Sequence, residues 1–244
     1  MPATKPRPKQ KQGHPCPWTP AVLDEVVHQL NVEAMYLDVP RLAVIDGFAG
    51  DGRRVAAHPG AQRHVWIGLE LEPSFIAAPW VQQGNALHIP FGAGSFDAYA
   101  TSLVFPNGMT DDFVSSEEDD SHRNTYSHFA RANVGDRTYR LHRDNAGAMG
   151  WGRKGDGSAW RDLHSRAFAE GRRVLGPGGL FVLEVKDHYV NGERIPVTEW
   201  VANELRRQGC TEVAWVDVPV RGNRNGRNRE LRFDYSTVMA MRVK

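Results

Sequence analysis

Residues 44–52, Val44-Ile45-Asp46-Gly47-Phe48-Ala49-Gly50-Asp51-Gly52, run an apolar strand straight into a glycine-rich turn that opens a helix. No other segment constrains the chain as much. Gly50 and Gly52 lack the Cβ that would block close backbone approach, and the freed amides of the following helix favour an electron-rich ligand group. After Gly52 the chain enters the apolar run Val65-Trp66-Ile67-Gly68-Leu69 and ends in Glu70. A gap of roughly 20 residues between glycine turn and strand-end carboxylate is the interval at which doubly wound folds bring an acid to ribose hydroxyls.

The rest of the chain repeats the strand and helix rhythm. From Thr19 to about Leu37, Val22, Leu23, Val26, Val27 and Leu30 fall at helical spacing, with Thr19 placed to cap and Pro20 in the first turn. Strand-like runs follow at 42–48, 64–71, 81–83, 97–104, 179–186, 211–220 and 236–243, with helical patterns over 158–175 and 197–208. This predicts a Rossmann-like, doubly wound α/β fold: seven strands, mostly parallel, covered on both faces, with an antiparallel pair at one edge because no helix separates the last two. Residues 106–157 break the rhythm. They are polar, carry the acidic run Glu117-Glu118-Asp119-Asp120, and hold Tyr126, Phe129, Tyr139, Met149 and Trp151 as apolar anchors. So long an insertion in a compact domain is either a substrate-facing lid or a disordered insertion, and the apolar anchors favour the lid.

Composition bounds the possibilities. With 244 residues, 41% hydrophobic, the chain has material for one domain, taken as 19–244 with the insertion inside it. The formal net charge is only +1, so any nucleic-acid affinity must come from local patches. Cys16 and Cys210 are too few for a disulfide scaffold or zinc cluster and fit a reducing, cytoplasmic setting. Residues 1–18 read as a disordered basic tail without the apolar centre of a signal peptide. No stretch approaches transmembrane length, and the ten histidines show no metal-ligand spacing.

Three further segments carry chemistry. Asn85-Ala86 follows the third strand; an Asn carbonyl oxygen there can accept a hydrogen from an amino group, or serve the turn. Thr101-Ser102-Leu103-Val104-Phe105-Pro106-Asn107-Gly108-Met109-Thr110-Asp111 ends the fourth strand, where open α/β sheets place chemistry, although 98–104 also fits a plain core strand. Arg221-Gly222-Asn223-Arg224-Asn225-Gly226-Arg227-Asn228-Arg229-Glu230-Leu231-Arg232 sets five arginines against one acid, suited either to phosphate contact or to a solvated hairpin. Gly176-Pro177-Gly178-Gly179 closes a helix and starts the fifth strand, and His188 lies just past that strand as a rim hydrogen-bonding residue.

The glycine turn, in its Asp-x-Phe-x-Gly-x-Gly form, resembles motif I of class I S-adenosylmethionine-dependent methyltransferases, and of the phage-type DNA amino-methyltransferases in particular. Residues 102–111 resemble their catalytic motif, (Asp/Asn/Ser)-Pro-Pro-(Tyr/Phe), with Ser102 and Phe105 at the polar and aromatic positions and Leu103 and Val104 in place of both prolines. The resemblance covers about residues 14–244 and implies methylation of an exocyclic amine of adenine or cytosine in DNA. It assigns the S-adenosylmethionine site to Asp46, Gly47, Phe48, Gly50, Gly52, Glu70, Asn85 and Ala86. It assigns the target base to Ser102, the carbonyl of Leu103 and Phe105, and substrate binding to Asn107, while the charge of the arginine loop offers Arg224, Arg227 and Arg229 for phosphate contact. Loss of the prolines leaves the backbone angle of the motif to tertiary packing. An RNA or small-molecule methyltransferase and a non-catalytic cofactor-binding protein stand as the other readings.

Overall fold

The computed structural model describes residues 18–106, 145–146, 149–151, 155–220, 231 and 233–244. In chain order, the elements are α1 (Pro20–Tyr36), β1 (Ala43–Asp46), α2 (Arg53–Ala57), β2 (Val65–Glu70), β3 (Val81–Gln83) and β4 (Ala98–Ser102). Then come α3 (Ser158–Leu175), β5 (Leu180–Val185), β6 (His188–Val190), β7 (Glu193–Ile195), α4 (Val197–Arg207), β8 (Cys210–Pro219) and β9 (Tyr235–Val243). Seven strands make one sheet in the order β3-β2-β1-β4-β5-β9-β8, parallel from β3 to β5. β9 runs antiparallel between β5 and β8. The fold is the expected Rossmann-like one. The order reverses between β1 and β4, and the crevice outside their carboxyl ends is where such sheets bind ligands.

Strand alternation divides the core between the two faces. Val44, Ala98, Ala100, Val182, Val238 and Ala240 pack with Val22, Val26 and Leu30 of α1. Ile45, Tyr99, Phe181 and Met239 pack with Trp160 and Phe168 of α3 and Val201 and Leu205 of α4. Each large apolar side chain so buried contributes about 1.5–3 kcal/mol. In α3 the buried positions Trp160, Leu163, His164, Ala167, Phe168, Gly171 and Val174 recur at three and four residues, the stripe a core-facing helix needs. Its end is set by Gly176, at φ 69°, whose amide donates to the Arg172 carbonyl at 3.0 Å.

Several local expectations change. Thr19 stands at the N-cap of α1 in extended conformation, but its hydroxyl is buried and makes no hydrogen bond among the described residues, so Pro20 at the first turn is the start signal that operates. Trp18, the last residue of the segment read as a tail, is buried against α1. β1 stops at Asp46 rather than residue 48, because the carboxylate folds back onto the Phe48 amide. β6 and β7 form a two-stranded hairpin absent from the seven expected strands. Its Asn191-Gly192 turn, with φ of 51° and 88°, was available as a signal, but three-residue strands give almost no period. No helix among the described residues is long and apolar enough to cross a membrane.

One ion pair anchors α1 to the far end of the sheet. Glu33 is buried, and both its oxygens accept from the Arg242 guanidinium of β9 at 2.7 Å. Arg242 also donates to the Gly178 carbonyl at 2.9 Å and lies 4.7 Å over the Tyr36 ring. Removing one partner of such a pair strands the other charge. Glu33→Ala is therefore expected to lower the unfolding free energy by about 2–4 kcal/mol in urea titrations, and the double variant Glu33→Met, Arg242→Met to recover most of the loss.

Candidate functional site

At the carboxyl end of β1 the Asp46 side chain is fully buried. Its Oδ1 accepts from the Phe48 amide at 3.0 Å and from the Thr101 hydroxyl of β4 at 2.5 Å, while Oδ2 is buried with no partner among the described residues. Burial raises the carboxyl to about 7 against the pull of those two bonds. Glu70, at the end of β2, is also buried. It accepts from the Glu72 amide at 2.9 Å and from the amide of Gly50 in the glycine turn. It too rises to about 7, chiefly from burial, with the carboxylates of Glu72 and Asp46 adding to the rise. The turn thus hangs between two buried acids.

The glycines do different work. Gly50 and Gly52 both have positive φ, 57° and 67°. A Cβ on Gly47 would lie 1.9 Å from the Tyr99 hydroxyl, so this glycine lets the turn cross the aromatic core. A Cβ on Gly52 would lie 2.5 Å from Val81, so its missing side chain seats the turn on β3 rather than admitting a ligand. α2 is a single five-residue helix, and its first amide, that of Arg53, is taken by Asp51 at 3.0 Å. Of the helix amides expected to be free for a ligand, the first is therefore already taken within the chain.

A cavity opens beside the turn, lined by Gly47, Phe48, Leu69, Glu70, Leu71, Gly84, Asn85, Ala86, Leu87, Val104, Asn145, Ala146 and Leu163. Five of the eight residues expected to hold a cofactor line it: Gly47, Phe48, Glu70, Asn85 and Ala86. Asp46 and Gly50 support that wall through the contacts above, and Gly52 lies apart. Asn85 Oδ1 accepts from the Leu87 amide at 2.9 Å, so its carbonyl oxygen holds the local turn. Sequence reasoning missed Asn145, whose side-chain amide donates to the buried carboxylate of Glu72, the alternative to Glu70 as strand-end acid, at 2.9 Å. Asn145 belongs to the 106–157 insertion, whose Met149 and Trp151 pack on the core.

Past the cavity, β4 delivers the second group. The Ser102 hydroxyl donates to Glu184 of β5, the Leu103 side chain is in the core, and Phe105 is half-buried at the strand end. Hydrogen bonds hold the backbone where the prolines are missing. The Leu103 amide donates to the Glu184 carbonyl at 3.1 Å, the Trp160 indole to the Val104 carbonyl at 2.9 Å, and the Trp151 amide to the Pro106 carbonyl at 3.3 Å. Trp160 stacks on His164 with centroids 3.8 Å apart, and His164 on Phe48 at 5.3 Å. His164 meets the Trp160 carbonyl through Nδ1 at 2.9 Å, which places its proton there. Burial pulls its pKa down to about 4, so the ring in the stack is neutral. The only sequence signal for Trp160 and His164 was their helical spacing, shared with ordinary core residues. His188 binds the Trp151 carbonyl through Nε2 at 3.0 Å, tying the hairpin to the insertion. Asn107, Arg224, Arg227 and Arg229 lie outside the described residues. Among the described residues no group of three or more His, Cys, Asp or Glu is arranged to hold a metal ion.

No protein-family model matches the chain. No curated protein matches its sequence. Solved structures do match it. The 1,6-didemethyltoxoflavin-N1-methyltransferase of Burkholderia thailandensis, with bound 1,6-didemethyltoxoflavin and S-adenosylhomocysteine, aligns over 92% of this chain and 79% of its own at 15% identity, TM-score 0.50. A Pyrococcus horikoshii protein aligns over 96% and 95% at 14% identity, TM-score 0.49. An S-adenosylmethionine-dependent methyltransferase of Methanosarcina mazei aligns over 84% and 93% at 10% identity, TM-score 0.46. At these identities the likeness is one of fold: a Rossmann-like methyltransferase fold.

The two raised carboxyls set a pH dependence. Asp46 and Glu70 stay protonated in the folded chain up to about 7, whereas in the unfolded chain they ionise near 4. Between those values the unfolded state binds fewer protons, so this contribution to stability is full below about pH 4. It is lost as pH rises through about 7. Urea titrations from pH 4 to 8 should show Asp46→Asn gaining stability relative to the parent as pH rises, with the difference levelling above 7.

Proposed function

We propose that this chain is an S-adenosylmethionine-dependent methyltransferase that methylates an exocyclic amino group of adenine or cytosine in DNA. One observation carries the reading. Two buried carboxylates flank a glycine turn at the point where the strand order reverses, with a polar and an aromatic residue at the end of the adjacent strand. The donor set suits the cofactor. Glu70 accepts from ribose hydroxyls, the orphaned Oδ2 of Asp46 offers lone pairs to the cofactor's ammonium, and Gly84, Asn85 and Ala86 wall the adenine. A cationic ligand favours the ionised form of both acids and so offsets the cost of burying them.

When bound, the cofactor supplies an electrophilic methyl group on a sulfonium sulfur. The protein's part is to position a weak nucleophile, because the lone pair of an exocyclic amine is delocalised into its ring. Ser102 keeps lone pairs free to accept an amine hydrogen even though its own proton is committed to Glu184. The Leu103 carbonyl accepts the second hydrogen, and Phe105 stacks on the extruded base. Phe48, Val104 and Leu163 give the cavity apolar walls that exclude water. In this reading the 106–157 insertion belongs to the substrate side of the single domain, Asn107 serves substrate binding, and Arg224, Arg227 and Arg229 supply phosphate contacts.

A second reading, methylation of a small heterocycle, is favoured by the broken proline pair and is compatible with the likeness in fold to a methyltransferase crystallised with such a compound. Calorimetry with S-adenosylmethionine, followed by tritiated methyl transfer to DNA, RNA and metabolite pools, separates the two. Label in DNA supports the first and label only in metabolites the second. Binding without transfer to any pool overturns both.

Two variants test the assignment. Glu70→Ala should weaken S-adenosylmethionine binding about 10- to 100-fold, the value of charge-assisted hydrogen bonds, with the fold intact by circular dichroism. Phe105→Ala should lose most transfer to DNA with cofactor affinity within about twofold of the parent, because base stacking contributes about 1–3 kcal/mol and does not touch the cofactor.

A further inference from the structure

We propose that Glu184 is the terminal proton acceptor of the transfer, receiving the proton of the substrate amine through the hydroxyl of Ser102. The inference rests on the amino-methyltransferase reading above. Glu184 is the penultimate residue of β5, in register with Ser102 of β4 on one side and Val238 of β9 on the other. It lies at the carboxyl edge of the sheet, beside the Ser102–Phe105 segment, on the face that α1 covers. Its carboxylate is 7% exposed and accepts from two serine hydroxyls, Ser236 at 2.8 Å and Ser102. Nothing in the packing of the sheet calls for an acid here: the preceding residues on this face of β5 are Leu180 and Val182.

The surroundings leave this carboxylate poised to take a proton. Burial pushes it above the ordinary glutamate range, and the two serines and the Lys186 charge pull it partly back. β4 faces it with Ser102, β9 with Ser236, and α1 covers this face with Val22, Val26 and Leu30. Nearby acids have partners of their own: Asp217 of β8 accepts from the Thr237 hydroxyl at 2.7 Å, Glu33 of α1 pairs with Arg242, and Asp187 is closed by Arg194 and the Thr198 amide.

A serine hydroxyl alone is too weak a base to hold the proton an amine must shed, and an acid behind it removes that limit. In the step, the N–CH₃ bond forms as the S–CH₃ bond of the sulfonium donor breaks, its electron pair staying on sulfur. The amine proton passes to Ser102 Oγ, the hydroxyl proton of Ser102 passes to Glu184, and the neutral carboxyl returns it to water. Glu184 is thus a positioning and proton-holding residue acting through Ser102, which touches the amine.

The test has two arms. In protein labelled with ¹³C-carboxyl glutamate, the resonance absent from Glu184→Gln should titrate above the ordinary glutamate range. It should move to still higher pH in Ser236→Ala, which removes a donor to the ionised form. In steady-state transfer, Glu184→Gln should lower kcat about 100-fold or more, the usual worth of a positioned base, with KM for the methyl donor unchanged. Ser236→Ala, which keeps the carboxylate, should shift the acidic limb of kcat upward in step with the resonance. An unperturbed resonance, or a parent acidic limb that neither variant alters, overturns the relay while leaving the methyltransferase reading intact. A parent that binds the donor but labels no DNA, RNA or metabolite pool overturns that reading and the relay with it.

Discussion

The Asp46 carboxyl, buried where β1 ends, is held on one oxygen by Thr101 of β4 and by the amide two residues on, and the remaining site is arranged around it. Isolating a carboxylate from water costs several kcal/mol unless it is neutralised or fully bonded. Only Oδ1 is satisfied among the described residues, and the group accordingly holds its proton to about 7. The same bonds join β1 to β4 at the reversal of strand order and bend the chain into the glycine turn. Tyr99 packs beneath, its hydroxyl also buried without a partner, so close to the turn that only glycine fits at 47. A cationic ligand reaching Oδ2 therefore finds an acceptor already aimed and already desolvated.

From this anchor the acids spread along the ends of the strands. Glu70 on β2 takes the Gly50 amide, Glu72 takes Asn145 from the insertion, and Glu184 on β5 takes Ser102 and Ser236. Each acid binds a different piece of chain, so the rim of the sheet is knitted by carboxylates rather than by apolar contact. That is an unfavourable way to build stability and a useful way to build a site, since ligand contacts replace what water has lost. Where the related catalytic motif has two prolines, the backbone is held by the Leu103 amide and by donors from Trp160 and Trp151. Local rigidity is exchanged for rigidity supplied by α3 and the insertion.

The sheet was legible because its signals are local and strong. Val44-Ile45-Asp46, Trp66 to Glu70 and Leu180 to Val185 are largely buried strands whose apolar runs have no competing period, and the α3 stripe repeats over eighteen residues. The β6–β7 hairpin was illegible for the opposite reason: three residues a side carry no pattern. Gly52 shows a subtler limit. A glycine in a turn reads the same whether it makes room for a ligand or for Val81, and only the fold distinguishes them.

By itself, then, the order of residues determined the alternation of strand and helix, the glycine turn after the first strand and the acids at the strand ends, all signals carried within a few residues. Tertiary structure alone decided which acids stay protonated, that Asn145 reaches Glu72, that Trp160 clamps Val104 and that Ser102 points at Glu184. Those depend on desolvation and on partners far apart in the chain, 73 residues for Asn145 and Glu72 and 56 for Trp160 and Val104, quantities that no window of sequence contains.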